Sequence, residues 1–152
     1  MGVSIMKKSI FLSAVLILAM ATLSFATVPA NPQPMPRIFA NARFVYVTSY
    51  DGGQFNPELF PEDRAAIARV QTAIQKWGKL IVVYRPQEAD VILAVQSRPS
   101  EDVLAVYDAH ASGAGSEPSQ VYLWRVMARS GLQTSEMPLF SQFEKAWDKI
   151  TK

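Results

Sequence analysis

The pattern of apolar and polar positions predicts a chain built from short buried strands and two amphipathic helices. Residues 89–95, with the sequence ADVILAV, place five consecutive apolar residues after one acid. An apolar run of this length without alternation is typical of a strand that is buried on both faces near the middle of a sheet. Residues 80–84, LIVVY, are also apolar without alternation and predict a second strand that is covered on both faces.

A further strand, the first along the chain, is predicted over residues 43–50. This segment is rich in β-branched and aromatic side chains and stops at the turn signal DGG of residues 51–53. Successive side chains of a strand point to opposite faces of the sheet. If Val45 and Val47 face the helices, the opposite face therefore receives Phe44, Tyr46, Thr48 and Tyr50.

The most strongly patterned helix is predicted over residues 61–77. Pro61 suits the first helical position, and the acids Glu62 and Asp63 complement the positive end of the helix dipole. Gly78 is expected to supply the left-handed residue that ends the helix. The apolar positions follow a 3-4-3 spacing and form one stripe: Ile67, Val70, Ile74 and Trp77.

The second half of the chain predicts three strands and a closing helix. Strands are expected over residues 91–96, 103–108 and 121–127, and the last two form a long antiparallel hairpin through a Gly/Ser-rich loop, residues 109–119. The final helix starts near Pro138. It repeats the 3-4-3 spacing at Phe140, Phe143, Trp147 and Ile150.

The predicted element order is β-α-β-β-β-β-α, which corresponds to an α+β, two-layer fold. A strand, a helix and a strand in succession imply a parallel, right-handed crossover, and the later hairpin adds antiparallel strands. We therefore expect a mixed five-stranded sheet with two helices mainly on one of its faces.

The face of the sheet away from the helices is the predicted contact surface, because two helices are expected to leave it partly open. Large exposed apolar patches usually mark contact sites. We expect this candidate partner-binding face to include Phe44, Tyr46, Tyr50 and Trp124. Two alternatives stay open. The first loop and the N-terminal leader can cover this face, and Trp124 can be a core residue beside a solvent-facing Arg125.

The first 26 residues have the features of a secretory signal peptide. The basic pair Lys7 and Lys8 precedes an uncharged, mostly apolar stretch, and small residues favour cleavage after Ala26. Residues 27–41 contain four prolines and are interpreted as a Pro-rich leader, so the single α/β domain is expected over residues 42–152. The expected location is secreted or periplasmic. An uncleaved membrane anchor is the alternative, although its apolar core of 14 residues is short of the roughly 20 that span a bilayer.

Charge and cysteine content exclude several classes of function. Lys7 and Lys8 carry the whole formal charge of +2, so the chain that follows the signal is formally neutral. A neutral domain offers no basic patch for nucleic acid or for an anionic membrane surface. The absence of cysteine excludes disulfides, thiolate metal sites and a lipid-modified N-terminal cysteine. Membrane contact is expected only through an uncleaved signal.

The acidic residues are interpreted as structural. Asp90 stands at the entrance of the apolar strand and is expected to accept hydrogen bonds from backbone amides of the preceding turn. The adjacent acids Glu101 and Asp102 do not suggest an acid/base pair, because neighbouring side chains of a strand point in different directions.

No catalytic, cofactor-binding or metal-binding motif is recognisable, so we expect no cofactor and no enzymatic activity. His110 is the only histidine, and a metal site usually needs three or four ligands. The alternative is a small hydrolase or ligand-binding enzyme that uses Asp108, His110 and a loop serine, Ser112 or Ser116. A carrier or inhibitor domain is a third possibility, and a deep apolar pocket would be its sign.

Three segments together resemble a known group of proteins. They are KWGKLIVV at residues 76–83, EADVILAV at residues 88–95, and the LAVYD and VYLWR strands of the hairpin at residues 104–125. They resemble small exported bacterial domains of unknown function, similar in architecture to the amino-terminal domain of TolB and related envelope proteins. The resemblance spans roughly residues 42–150. Many of these relatives are lipid-anchored through a cysteine, which this chain lacks.

The resemblance implies a periplasmic or envelope-associated module used for contact or assembly. Together with the absence of a catalytic motif, it favours a non-enzymatic interaction or assembly module of the bacterial envelope. The expected partner is another envelope protein or a second copy of the chain.

Overall fold

The strands and helices of the protein follow the predicted order. The computed structural model describes residues 33–111 and 121–152. Over these residues the predicted α+β class is confirmed, with one mixed five-stranded sheet and two α-helices. The elements are β1 (Phe44–Ser49), α1 (Pro61–Trp77), β2 (Ile81–Val83), β3 (Val91–Ser97), β4 (Asp102–Asp108), β5 (Trp124–Ala128) and α2 (Pro138–Ile150), with 3-10 turns at Arg37–Asn41 and Pro86–Glu88.

The sheet has the strand order β2-β1-β3-β4-β5. β2 is therefore an edge strand with Ile81 58% exposed, so the prediction that residues 80–84 are buried on both faces is wrong. β1 is parallel to both of its neighbours, and Val45 stands opposite Val82 on one side and Val91 on the other. β3, β4 and β5 are successive antiparallel neighbours. The apolar run of residues 91–95 therefore lies in the middle of the sheet, as its lack of alternation predicts.

Both helices pack on the same face of the sheet, called the helix face below. α1 buries the predicted stripe, with Ile67, Val70 and Ile74 fully inaccessible. α2 buries the second predicted stripe through Phe140, Phe143 and Trp147. Sheet residues of the same core alternate along their strands: Val45 and Val47, then Val91, Leu93 and Val95, then Leu104 and Val106, then Trp124 and Val126.

Gly78 ends α1 in the predicted way. Its φ of 75° lies in the left-handed region, where glycine carries no Cβ penalty. Its N–H donates to the carbonyl of Ile74 at 2.9 Å and thereby satisfies one of the last helical carbonyls.

The packed core begins inside the segment predicted to be a leader. Met35 and Phe39 are buried, and the Phe39 ring stacks with Trp147 at a centroid distance of 6.4 Å. Apolar burial against α2 therefore outweighs the Pro-rich character of this stretch. The predicted signal peptide, its cleavage position at Ala26 and the start of the leader lie outside the described residues. Of the helices in residues 33–111 and 121–152, none has the length and apolar content to cross a bilayer.

β5 begins at Trp124, three residues after the predicted start of the strand. Val121 is exposed, and the N–H of Leu123 donates to the Val106 carbonyl at 2.8 Å. β4 and β5 are antiparallel, as the predicted hairpin requires. Most of the loop between them, residues 112–120, lies outside the described residues.

Candidate functional site

Two buried carboxylates lie near the carboxyl ends of the parallel strands β1 and β3. Asp63 is in the first turn of α1, Asp102 is the first residue of β4, and both side chains are fully inaccessible. Ligands of open α/β sheets usually bind beyond the carboxyl ends of the strands. The surroundings of these two acids are therefore the first candidate site.

Asp63 connects the ends of both parallel strands to α1. Its Oδ2 accepts a hydrogen bond from the Ser49 hydroxyl at 3.0 Å, and its Oδ1 accepts one from the Ser97 N–H at 2.7 Å. Arg98 Nη1 also donates to Oδ1 at 2.8 Å, while Arg98 Nη2 donates to Asp51 at 2.6 Å. Burial alone would lower the pKa of Arg98, but the hydrogen bond and charge of Asp63, followed by those of Asp51, raise this pKa above its usual value.

Asp102 is held by three uncharged donors. Its Oδ1 accepts hydrogen bonds from the Ser97 hydroxyl and the Gln133 side-chain amide, both at 2.9 Å. Its Oδ2 accepts the backbone N–H of Leu132 at 2.8 Å. Ser97 therefore links the two acids, because its N–H binds Asp63 and its hydroxyl binds Asp102. We call Ser49, Asp63, Ser97, Arg98, Asp102 and Gln133 the carboxylate network.

The carboxylate network joins elements of the fold and does not have the arrangement of a hydrolytic site. A nucleophilic serine needs a neighbouring base to take its proton. The hydroxyls of Ser49 and Ser97 do donate to carboxylates, but both serines are buried, at 1% and 2% exposed, so neither hydroxyl is open to a substrate. His110 follows the end of β4, which pairs with the start of β3. It therefore lies at the opposite end of the strands from the carboxylate network. Among the described residues, no group of three potential metal ligands occurs.

The loop between β1 and α1, residues 51–60, is fixed by hydrogen bonds, and we call it the aromatic loop. The Asn56 side-chain amide donates to the carbonyl of Asp51 at 3.0 Å. Arg64 of α1 donates to the carbonyls of Gln54 and Asn56 at 2.7 and 2.9 Å. The Gln54 side chain also accepts a hydrogen bond from Gln71 at 2.9 Å. Hydrogen bonds from the helix therefore restrain the loop.

This fixed loop exposes two phenylalanines. Phe55 is 78% exposed and Phe60 is 54% exposed, whereas Leu59 between them is buried and anchors the loop in the core. The Arg98 guanidinium lies 4.6 Å from the centre of the Phe60 ring, which connects this ring to the carboxylate network. Within the described residues, Phe55 has the largest exposed fraction of any large apolar side chain.

The face of the sheet opposite the helices is covered around Tyr46, whereas Phe44 of β1 and its partner Ile81 of β2 are 38% and 58% exposed. Tyr46 and Tyr50 do point to this face, but Tyr46 is only 9% exposed and packs in a second cluster with Ile92 and Tyr107. The backbone of Gly53 also comes so close to the Tyr46 hydroxyl that a Cβ there would stand 2.6 Å from it. Phe44, at 38% exposed, is the one expected aromatic side chain that is substantially accessible on this face.

Trp124 lies on the helix face, which corrects its assignment to the contact surface. It pairs with Val106 in the sheet, and its buried ring lies 6.1 Å from that of Phe143 in α2. The neighbouring Arg125 points to the opposite face, with its guanidinium 5.4 Å from the Tyr122 ring. This matches the alternative of a core tryptophan, whereas Arg125 is only partly exposed and its Nε is buried, so it does not face solvent as that alternative expects.

Asp90 has a structural role, but its partners differ from those expected. Its Oδ2 accepts the N–H groups of Arg43 and Phe44, at 2.8 and 3.0 Å, where β1 begins. The bond from Arg43 is the main reason that the pKa of Asp90 is lowered; burial opposes this shift, and the bond from Phe44 adds to it. Asp90 therefore fastens β3 to the neighbouring strand rather than closing its own turn.

The residues of the enzymatic alternative come together only in part. His110 and Asp108 line a cavity of about 230 Å³ with Asp90, and His110 Nε2 lies 3.7 Å from Asp90 Oδ1. The His110 side chain is 74% exposed, and its backbone N–H donates to Asp108 at 2.9 Å. An imidazole held this loosely is poorly placed to act as a base. Ser112 and Ser116 lie outside the described residues.

Comparison with known proteins gives no relative. No protein-family description, no curated protein and no solved structure matches this chain.

The sequence already contained a signal for the buried acids. Extending the α1 stripe by four residues towards the N-terminus, from Ile67, reaches Asp63, and so places this acid on the buried side of the helix. Alternation in β4 likewise places Asp102 with Leu104 and Val106 on the helix face. Phe55 has no comparable signal, because its exposure depends on how the loop folds.

Proposed function

We propose that the chain is an exported, non-enzymatic contact module of the bacterial envelope and that Phe55 of the aromatic loop is its anchor. One observation carries this proposal: a large aromatic side chain is 78% exposed on a loop that hydrogen bonds hold in place. Isolated exposed apolar residues are common on protein surfaces. A pre-organised one is different, because little conformational freedom is lost when it binds.

The chemistry of the loop defines the partner. Phe55 is an aromatic residue of the kind enriched in interface cores. The exposed acids Glu58 and Glu62 follow it at the end of the loop and the start of α1. The fitting partner is therefore an envelope protein with an apolar pocket and a basic rim.

Export is supported by the N-terminal sequence, with its basic pair, its apolar stretch and its small-residue cleavage position at Ala26. The resemblance to envelope domains supports the same location. Asp63 and Asp102 are fully buried, which supports a structural role for the carboxylate network, because a catalytic group must be available to a substrate.

The test replaces Phe55 by a photo-crosslinking phenylalanine analogue in the producing cells. We expect one discrete crosslinked product with another envelope protein. The same analogue at Ile38, which is 64% exposed but outside the loop, should not give this product. Purified partner should then bind Phe55→Ser at least about 30-fold more weakly than wild type, as at an interface hot spot.

Reversal of the charge at Glu58 is a second test of the proposed interface. Glu58→Lys should weaken binding to the same partner, and added salt should reduce the difference from wild type. Equal binding by wild type and Phe55→Ser would overturn the proposal. A crosslinked product that contains two copies of this chain would support the contact function and would identify a second copy of the chain as the partner.

A further inference from the structure

A groove lies between α1 and the segment that precedes α2. Its volume is about 460 Å³, within the range of small-molecule sites. α1 contributes one wall, and residues 133–137 contribute the other. It is separate from the aromatic loop, and the proposed contact function does not use it.

The groove combines an apolar lining with two cations. Ala68, Ala73 and Met137 provide apolar surface, and Arg69 and Lys76 stand along the same wall. Residues seven apart in a helix lie almost on the same side, about 10 Å apart along the axis. Such a groove suits an elongated molecule that carries negative charge and an apolar body.

Arg69 is the better placed of the two cations to bind an anionic group. Its Nη1 donates to the carbonyl of Leu132 at 3.3 Å, which orients the guanidinium towards the 132–137 segment. A guanidinium has five N–H donors and binds a carboxylate with two parallel hydrogen bonds. Arg69 also lines an adjoining cavity of about 380 Å³ with Glu62, Ser97 and Gln133. Because the Glu62 carboxylate repels an anion, the head group fits on the side of Arg69 that faces the groove and not in this second cavity.

Two residues at the ends of the segment that forms the second wall have left-handed backbone conformations. Ser130 and Met137, which bracket it, have φ values of 54° and 42°, and they are the non-glycine residues with positive φ in the described part of the chain. Each such residue costs on the order of 1–2 kcal/mol. Strain of this kind collects at ligand-binding segments, where the fold holds a shape that the chain alone does not prefer.

We propose that this groove binds a monocarboxylate amphiphile, with the carboxylate on Arg69 and the alkyl chain along Ala73 towards Met137. The apolar surface supplies affinity for the chain, and the guanidinium selects an anionic head. Lys76 adds a weaker, longer-range attraction, because it is an exposed point charge on a flexible stem.

Calorimetric titration of the full chain with decanoate, below its micelle concentration, tests the proposal. We expect saturable binding of one decanoate per chain. Acetate, which has the head without the tail, and octyl glucoside, which has a tail without charge, should each bind at least tenfold more weakly. Chemical shifts of the Met137 methyl group should follow the decanoate titration.

Variants locate the head group. Arg69→Gln should weaken decanoate binding at least tenfold, Lys76→Gln at most threefold, and Lys145→Gln, which removes an exposed cation of α2 outside the groove, should leave it unchanged. Ala68→Leu keeps Arg69 but fills the groove, so it should abolish decanoate binding. This variant tests the groove independently if Arg69→Gln proves unstable. Absence of saturable binding, equal binding of octyl glucoside, or unchanged binding by either a folded Arg69→Gln or Ala68→Leu would overturn the proposal.

Discussion

The carboxylate of Asp63 lies 2.8 Å from Nη1 of Arg98, and this ion pair fastens the first turn of α1 to the residue that follows β3. Asp63 is fully buried, whereas the Arg98 side chain is 28% exposed. The Ser49 hydroxyl and the Ser97 N–H also donate hydrogen bonds to this carboxylate. The pair therefore holds the carboxyl ends of β1 and β3 and the start of α1 at a single point.

Asp63→Asn should lower the free energy of unfolding by about 3 kcal/mol, because it leaves Arg98 without its buried partner. Asp51→Asn is the matched control. Asp51 binds the other guanidinium nitrogen, but its side chain is 45% exposed, so we expect a loss of about 1 kcal/mol or less. Urea unfolding of both variants measures the difference. Equal losses would contradict the dominant role of the buried acid.

Asp90→Asn should destabilise the protein in a pH-dependent way. The two amide hydrogen bonds lower the pKa of Asp90 in the folded state below its usual 3.8. The unfolded chain therefore takes up a proton first on acidification, so this contribution to stability is complete well above pH 4 and is lost as the pH falls through the folded-state pKa. We expect Asp90→Asn to lose about 1–2 kcal/mol at pH 7.

Unfolding curves of wild type and Asp90→Asn at pH 7 and pH 3 check this expectation. The difference in the free energy of unfolding between the two proteins should be smaller at pH 3 than at pH 7. An equal difference in the free energy of unfolding at pH 7 and pH 3 would show that the charge of Asp90 does not contribute to its structural role.

Tyr107→Phe should make the protein less sensitive to alkali. Burial, followed by the 3.3 Å hydrogen bond to Tyr50, raises the pKa of Tyr107 above its usual 10. The unfolded chain therefore ionises first as the pH rises, so the stabilisation is complete below pH 10 and is lost above it. Phenylalanine keeps the packing and removes the ionisation, at a cost of about 1 kcal/mol at neutral pH.

Unfolding of Tyr107→Phe and wild type should be compared at pH 7 and pH 11. The wild type should lose more stability between these values. Tyr122→Phe, which changes a 41% exposed tyrosine, serves as the control and should follow the wild type.

Gly131→Ala should cost about 2–3 kcal/mol, because a Cβ at this position would collide with the buried Leu139 side chain. Gly78→Ala is a useful comparison. Its Cβ would meet no atom within 4 Å, and its cost of about 1 kcal/mol should come only from the φ of 75°. In a double-mutant cycle, Leu139→Ala should reduce the effect of Gly131→Ala but not that of Gly78→Ala. Equal coupling in both pairs would exclude the collision as the cause.

Sequence patterns predict the helices of this protein better than the packing of its sheet. The stripe and cap signals placed α1 at Pro61–Trp77, the observed bounds. The side taken by β5 was undetermined, because Leu123 and Trp124 are both apolar and period-two alternation allows either to face the core. The pairing of Trp124 with Val106 decides it, and this register depends on the whole hairpin.

Long-range contacts explain the remaining differences. The sequence predicts that Asp90 closes its own turn, but its donors lie 46 and 47 residues earlier, at the start of β1. Tyr46 is covered by Ala89, Ile92 and Tyr107, which pack in the same cluster, and by the backbone of Gly53 near its hydroxyl. Local patterns contain no information on where such distant segments return.

The position of β1 also has a consequence for how the chain folds. β1 lies between β2 and β3, which both come later in the sequence, so each parallel pairing must close a loop of more than thirty residues. β3 and β4 are joined by only four residues, so closing their hairpin loop costs less entropy than closing the loops of the two parallel pairings. We expect this hairpin to form first and to be the template on which β1 and then β2 assemble. Substitutions in β3 and β4 should then slow folding, whereas those in β2 should mainly accelerate unfolding.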